Sequence, residues 1–162
     1  MRKQREVIER CEALAGEARG TLLWALQLAD LPPYDQPFAP EALEARPADG
    51  RLRPPDELDR ERQSARLWHW RARTADLADN GAPDLPERFA SLDQAVAAAA
   101  VRGHERGLLP QPLRGDFRAY GKIYRHLGAD ERAEAHSIAA ERHHALAWLC
   151  GEGSWDDVPL DT

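Results

Sequence analysis

Apolar residues recur at steps of three and four along most of this chain, with charged residues between them. That is the pattern of helices that bury one face. From Lys3 to Ala29 one stripe is formed by Val7, Cys11, Leu14, Ala18, Leu22, Ala25 and Ala29. Gly16 and Gly20 weaken its middle, so the stretch reads as one long helix or two in series. Leu31-Pro-Pro-Tyr-Asp-Gln-Pro37 ends it, because proline cannot continue the hydrogen-bond ladder. Leu31 to Pro54, rich in proline and acids, reads as a long surface connection with a short helical stretch from Pro40 to Ala45. Pro55 opens a helix to about Leu77. One of its stripes is Leu58, Ala65, Trp68, Ala72 and Ala75, and the other is Leu67, Trp70, Thr74 and Leu77, as expected for a central helix packed on two sides.

Asn80-Gly-Ala-Pro83 breaks the chain. Ser91 and Gln94 form a capping-box pattern ahead of the small-residue stretch Ala95 to Val101, which Gly103 and Gly107 are expected to end. Leu108 to Leu127 mixes Phe117, Tyr120, Ile123 and Tyr124 with Pro110, Pro112, Gly115 and Gly121. It predicts an ordered aromatic connection with about one helical turn. A last helix from about Asp130 to Cys150 has Ala135, Ile138, Ala145, Leu146 and Leu149 on its buried face and Gly151 as C-cap. No period-two strand pattern stands out. The expectation is a single all-α domain over 1–162, an irregular bundle of roughly four to six helices. A loop at about 31–54 and a tail at 151–162 would pack on it, with Trp24, Trp70, Trp148 and Trp155 as structural anchors.

Composition agrees with a globular protein: hydrophobic residues are 43% and charged residues 31%. No apolar run approaches the roughly 20 residues of a membrane helix. The basic start, Met1-Arg-Lys-Gln-Arg5, has no apolar segment after it, so no signal peptide is expected and the cytoplasm is the default compartment. Cys11 and Cys150 are expected as small buried hydrophobes there. Charge changes the picture more. Asp130 to Thr162 holds eight acids and two bases, which accounts for the whole net charge of −6. Such an end repels phosphate backbones and argues against nucleic acid. It suits a basic protein partner, or simply a solvated, solubilising end.

The candidate chemistry gathers near that end. Glu141-Arg-His-His144 contains a Glu-x-x-His spacing, which puts a carboxylate and an imidazole on one helix face. His136 lies seven residues before His143, so His136, Glu141, His143 and His144 are weak candidates for a metal, but no second such motif exists to complete a paired-metal site. Asp156, Asp157 and Asp161 offer hard oxygens without an EF-hand pattern, and salt bridges to Arg73 or Arg142 are the plainer reading. Trp68-His-Trp-Arg-Ala-Arg73 could form a small-anion pocket around His69 and Arg73, or supply two core tryptophans with bases at the rim. No nucleophile elbow, phosphate loop or dinucleotide fingerprint occurs, so no catalytic residue and no cofactor is assigned.

Several of these pieces together resemble the bacterial domain of unknown function 4272 family. The ending carries most of the likeness: Glu141-Arg142-His143, Ala145-Leu146, Trp148-Leu149, Gly151, Trp155-Asp156, Pro159 and Asp161-Thr162. Leu22-Leu-Trp-Ala-Leu26 with Leu31-Pro32, Leu52-Arg53, His69-Trp70 with Arg73, and Asp116 to Lys122 with Tyr124-Arg125 extend it over most of the chain. His144 stands where the family more usually has an aromatic residue, and Ala147 where it has asparagine. The resemblance implies a mostly helical bacterial protein and brings no activity with it.

The leading functional expectation is a non-enzymatic intracellular interaction protein using an acidic C-terminal face, for example an inhibitor or immunity-type protein. The rival is a metal-dependent or small-anion-binding enzyme around the last helix. The polar residues that would form either site are His69, Arg73, Glu141, Arg142, His143, Asp156, Asp157 and Asp161. A purely structural, self-associating subunit is the third reading.

Overall fold

Five α-helices carry the architecture. They are α1 (Gln4–Ala13), α2 (Gly16–Ala25), α3 (Pro55–Asn80), α4 (Leu92–Glu105) and α5 (Ala129–Cys150). The computed structural model describes residues 1–81, 89–151 and 153–160, without the side chains of Asp79 and Asn80. Asp161, Glu152 and the Ala82-Pro83 part of the expected chain break lie outside the described residues. The all-α expectation holds, and no helix among the described residues is long and apolar enough to cross a membrane.

The two long helices, α3 and α5, pack along each other at the centre. Helix α2 lies on α5, α1 on α2, and α4 on α3. The expected stripes explain this. Leu58, Ala65, Trp68, Ala72 and Ala75 of α3 are all buried, as are Ala135, Ile138, Ala145, Leu146 and Leu149 of α5. The second α3 stripe is shallower: Thr74 is buried, Leu67 and Trp70 are half-buried, and Leu77 is exposed. Trp24 and Trp148 are buried, while Trp70 and Trp155 are half-buried against the core.

Of the two alternatives for the first apolar segment, two helices in series is the one that forms, because the chain turns at Leu14-Ala15 and enters α2 through Gly16 at φ +58°. Two expectations are corrected. Gly103 does not end α4 but lies inside it, buried, where its missing side chain makes room for Leu109. The connection after Leu108 contains a small antiparallel hairpin, Arg118–Ala119 (β1) paired with Lys122–Ile123 (β2). Its two-residue turn is Tyr120-Gly121, at φ +51° and +70°, the left-handed pair that joins twisted strands tightly. A 3-10 turn at Tyr124–His126 follows it.

The long loop is not a loose surface strap. It includes 3-10 turns at Pro40–Glu44 and Pro47–Asp49. Tyr34, Phe38 and Pro47 are buried, so the loop supplies side chains to the core. Phe38 covers Gly20 of α2 so closely that a methyl group added there would fall on its ring.

Candidate functional site

Two buried ion pairs set the polar framework. Arg142 of α5 is fully buried. Its Nε donates to Glu17 Oε2 at 2.8 Å, Nη1 to the Pro32 carbonyl at 2.6 Å, and Nη2 to the Gln36 carbonyl at 2.8 Å. The guanidinium also lies 4.9 Å from the centre of the Tyr34 ring and 5.1 Å from that of Phe38. Glu17 Oε1 completes the clamp by accepting the Phe38 N–H at 2.7 Å. One arginine thus ties α5, α2 and the 31–38 loop together, and its fork geometry supplies the several donors needed.

The second pair is Arg71 with Asp116, joined by two bonds of 2.8 and 3.0 Å. Asp116 also accepts the N–H groups of Phe117 and Arg125, at 2.7 and 3.0 Å. Burial pushes this carboxyl up, but Arg71 and those N–H groups outweigh it and hold it below the usual carboxylate range. Arg71 therefore anchors the aromatic connection onto α3.

The candidate residues do not gather at one place. Three consecutive residues of α5 diverge, as about 100° per residue requires. Glu141 accepts from Ser137 at 3.2 Å, Arg142 serves the clamp, and His143 turns to α3. There His143 Nδ1 lies 3.0 Å from His69 Nδ1, so one ring donates and the other accepts. Burial above all, and neighbouring positive groups after it, push both imidazoles down to about 4. His136 is 5.7 Å from His69, ring centre to ring centre, but its Nδ1 pairs with Asp76 at 2.8 Å. His144 Nε2 faces the Trp155 carbonyl at 2.9 Å. Among the described residues no group of three or more histidines, cysteines or acids is placed to hold a metal ion. Arg73 is exposed on α3, and Asp156 and Asp157 are exposed on the tail, where Asp157 accepts from Ser154 at 2.6 Å. Of the two readings of Trp68 to Arg73, the arrangement is core and rim rather than an anion pocket: Trp68 and His69 are buried, His69 against His143, and Arg73 is exposed.

The tail folds back on the bundle. The Trp155 ring packs 4.5 Å from His144 and 5.5 Å from Trp148, with the Arg10 guanidinium 5.3 Å from its centre. Arg2 reaches the Trp148 and Gly153 carbonyls from the other side. The chain's terminal acids are divided by this arrangement. Asp130, Glu131 and Glu134 start α5, whereas Asp156 and Asp157 follow its far end, and a helix of 22 residues spans roughly 33 Å.

A concave site among the described residues lies elsewhere. A cleft of about 560 Å³ opens between the Leu31–Gln36 stretch, α3 and the β1–β2 hairpin. Its wall includes Tyr34, Glu61, Ser64 and Trp68, with Asp35, Arg118 and Pro110 also lining it. Tyr34 donates its hydroxyl to Glu61 Oε1 at 2.8 Å and stacks on Trp68 at 5.3 Å, the rings 9° apart. Ser64 donates to the Leu108 carbonyl at 2.8 Å, and Asp35 accepts the Tyr120 N–H at 2.6 Å. Burial raises the Glu61 carboxyl above its ordinary range, against the Tyr34 hydroxyl and the charges of Arg142 and Arg60. A half-buried carboxylate so perturbed, in a cleft, makes this the candidate site.

Neither Glu61 nor Tyr34 figures among the residues expected from the sequence. The signal was present: Glu61 falls in phase with Leu58, Ala65 and Trp68, an acid seated in an apolar stripe. Comparison of the chain with protein-family models, curated proteins and solved structures returns no match.

Proposed function

We propose that this protein is a non-enzymatic interaction module for a positively charged partner, such as a basic protein that it inhibits or neutralises. The observation that carries the reading is the composition of the cleft. Glu61 and Asp35 face a single exposed arginine, Arg118, and prolines 32, 33 and 110 offer no N–H donors. Such a wall is rich in acceptors and carries negative charge, which suits a donor-rich cation. The clamp of Arg142 on the Pro32, Pro33 and Gln36 carbonyls fixes one side of the cleft in advance, and preorganisation reduces the entropy lost on binding. Asp156 and Asp157, exposed on the anchored tail, add charge that would steer such a partner. Kinship with the 4272 family belongs to the same proposal, on the residues of the ending.

The test is fluorescence polarisation with Lys/Arg-rich peptides and their Gln-substituted counterparts, at about 50 and 300 mM salt. Basic peptides are expected to bind at least tenfold tighter, with the preference shrinking at high salt as screening shortens the reach of the charges. Equal binding of basic and neutral peptides would defeat the reading.

A further inference from the structure

We propose that the cleft recognises one cationic head group, an alkylammonium or guanidinium, seated on the Glu61 carboxylate beside the Tyr34 hydroxyl. This rests on the reading of a positively charged partner and names the chemistry by which it would be held.

The geometry points to Glu61 in four steps. First, Glu61 Oε1 takes the Tyr34 hydroxyl, and no other hydrogen bond to this carboxylate is seen among the described residues. A carboxylate has about four acceptor positions, so most of its capacity is unspent. Second, its neighbours add acceptors. The Tyr34 oxygen has donated its proton to Glu61 and neighbours the Ser64 hydroxyl, which donates to Leu108, so the two oxygens stand side by side with lone pairs remaining. Third, the positive charge nearest the Tyr34 ring is already committed. Arg142 lies 4.9 Å from the centre of that ring and is bonded to Glu17 and to loop carbonyls. Fourth, the wall is stiff, because the Tyr34 ring stacks on Trp68 and also packs against the Arg142 guanidinium while its hydroxyl is held on Glu61.

Burial raises the Glu61 carboxyl above its ordinary range, and a cation seated on it would favour the charged form. A neutral isostere at this position removes the cost of burying the charge while still accepting the Tyr34 hydroxyl, so it should not weaken the fold.

The head group has two sources, a free small amine or guanidine and a Lys or Arg side chain of a protein. The experiment separates them. Methylguanidinium and butylammonium are titrated by calorimetry at pH 7.5 and low salt, with methylurea as the neutral control, and Lys- and Arg-containing peptides follow. Saturable binding of the free cations is expected with Kd on the order of 1 mM, set by their few atoms. Glu61→Gln should weaken it at least tenfold while leaving the melting temperature at pH 7.5 unchanged or raised, which shows that the variant is folded. Amide shift changes on binding should centre on Tyr34 and Ser64. Binding that ignores Glu61→Gln, methylurea that binds as well as methylguanidinium, or no saturable binding of either cation overturns the cleft assignment. Should basic peptides still bind in that case, the reading of a basic partner survives and the site lies elsewhere. Should the free cations bind through Glu61 while no basic peptide does, the cleft stands as a small-molecule site and the protein-partner reading falls.

Discussion

Arg142 carries a full charge with no exposure to water, and the acceptors around it were built for that charge. Replacing it strands Glu17 in the interior with one oxygen still bonded to the Phe38 N–H and the other bare. Arg142→Met should lower stability by about 3–5 kcal/mol, read as a drop in the urea midpoint. Adding Glu17→Gln should return part of that loss; a double variant no more stable than the single one would show that Glu17 was not the stranded group. Trp155 is a lesser anchor. It is half-buried and covers Trp148 and His144 without entering the core. Trp155→Ala should therefore cost about 1–3 kcal/mol, below the loss of roughly 3–5 that a fully buried tryptophan brings. An unchanged melting temperature would mean that the tail contributes nothing to the fold. The cysteines are quiet by comparison, since burial pushes the Cys11 thiol up to about 11 and raises that of Cys150.

Helices and loop meet through positions that only small residues can fill. Gly20 lies under the Phe38 ring, where α2 receives the long loop. Gly20→Ala should cost about 1–3 kcal/mol through overpacking, despite alanine's better helix propensity. A neutral or stabilising outcome in a thermal melt would show that the loop shifts away without penalty. The Ser91–Gln94 capping signal holds: Ser91 Oγ accepts the Gln94 N–H at 3.2 Å, and the Gln94 side chain turns back to the Ala90 N–H at 2.8 Å, one residue from the expected partner. Glu131 likewise reaches back to the Gly128 N–H at 2.8 Å and starts α5. The hairpin at Arg118–Ala119 and Lys122–Ile123 escaped because two-residue strands are too short to show a period. Its turn residues, Tyr120-Gly121, were the sole local sign.

Across the molecule as a whole, acid stability should be governed by the buried histidines. Both His69 and His143 fall from an ordinary value of 6.5 to about 4 in the folded chain. Between those values the unfolded chain binds protons that the folded chain refuses, so stability is full above pH 6.5 and is lost as pH falls towards 4. The raised Glu61 carboxyl works in the opposite sense, gaining stability on acidification, but it is one group against two. The urea midpoint should therefore fall steadily from pH 7 to pH 4.5; a flat profile would contradict a buried neutral pair. Net charge has a whole-molecule consequence too. The terminal acids flank both ends of α5, with Lys122 bonded to Glu131 at 2.7 Å and the Tyr120 hydroxyl to Glu134 at 2.6 Å, so a run of sequence does not become one continuous face.

Periodicity placed the helical segments, their main buried stripes and the all-α class, because each follows from the spacing of residues a few positions apart. It left open whether the first segment was one helix or two, and it stopped α4 too early at Gly103. Even the half-buried Glu61 and the buried Arg142 left a trace there, since both sit in phase with apolar neighbours. Their partners left none. Glu17 lies 125 residues from Arg142, His69 lies 74 from His143, and Asp116 lies 45 from Arg71. Which acid meets which base, and that a loop tyrosine should close on Glu61 to make a cleft, depend on how the helices pack. Those pairings are set by the burial of the whole core, and a charge is held in its interior only where the fold brings a partner to it.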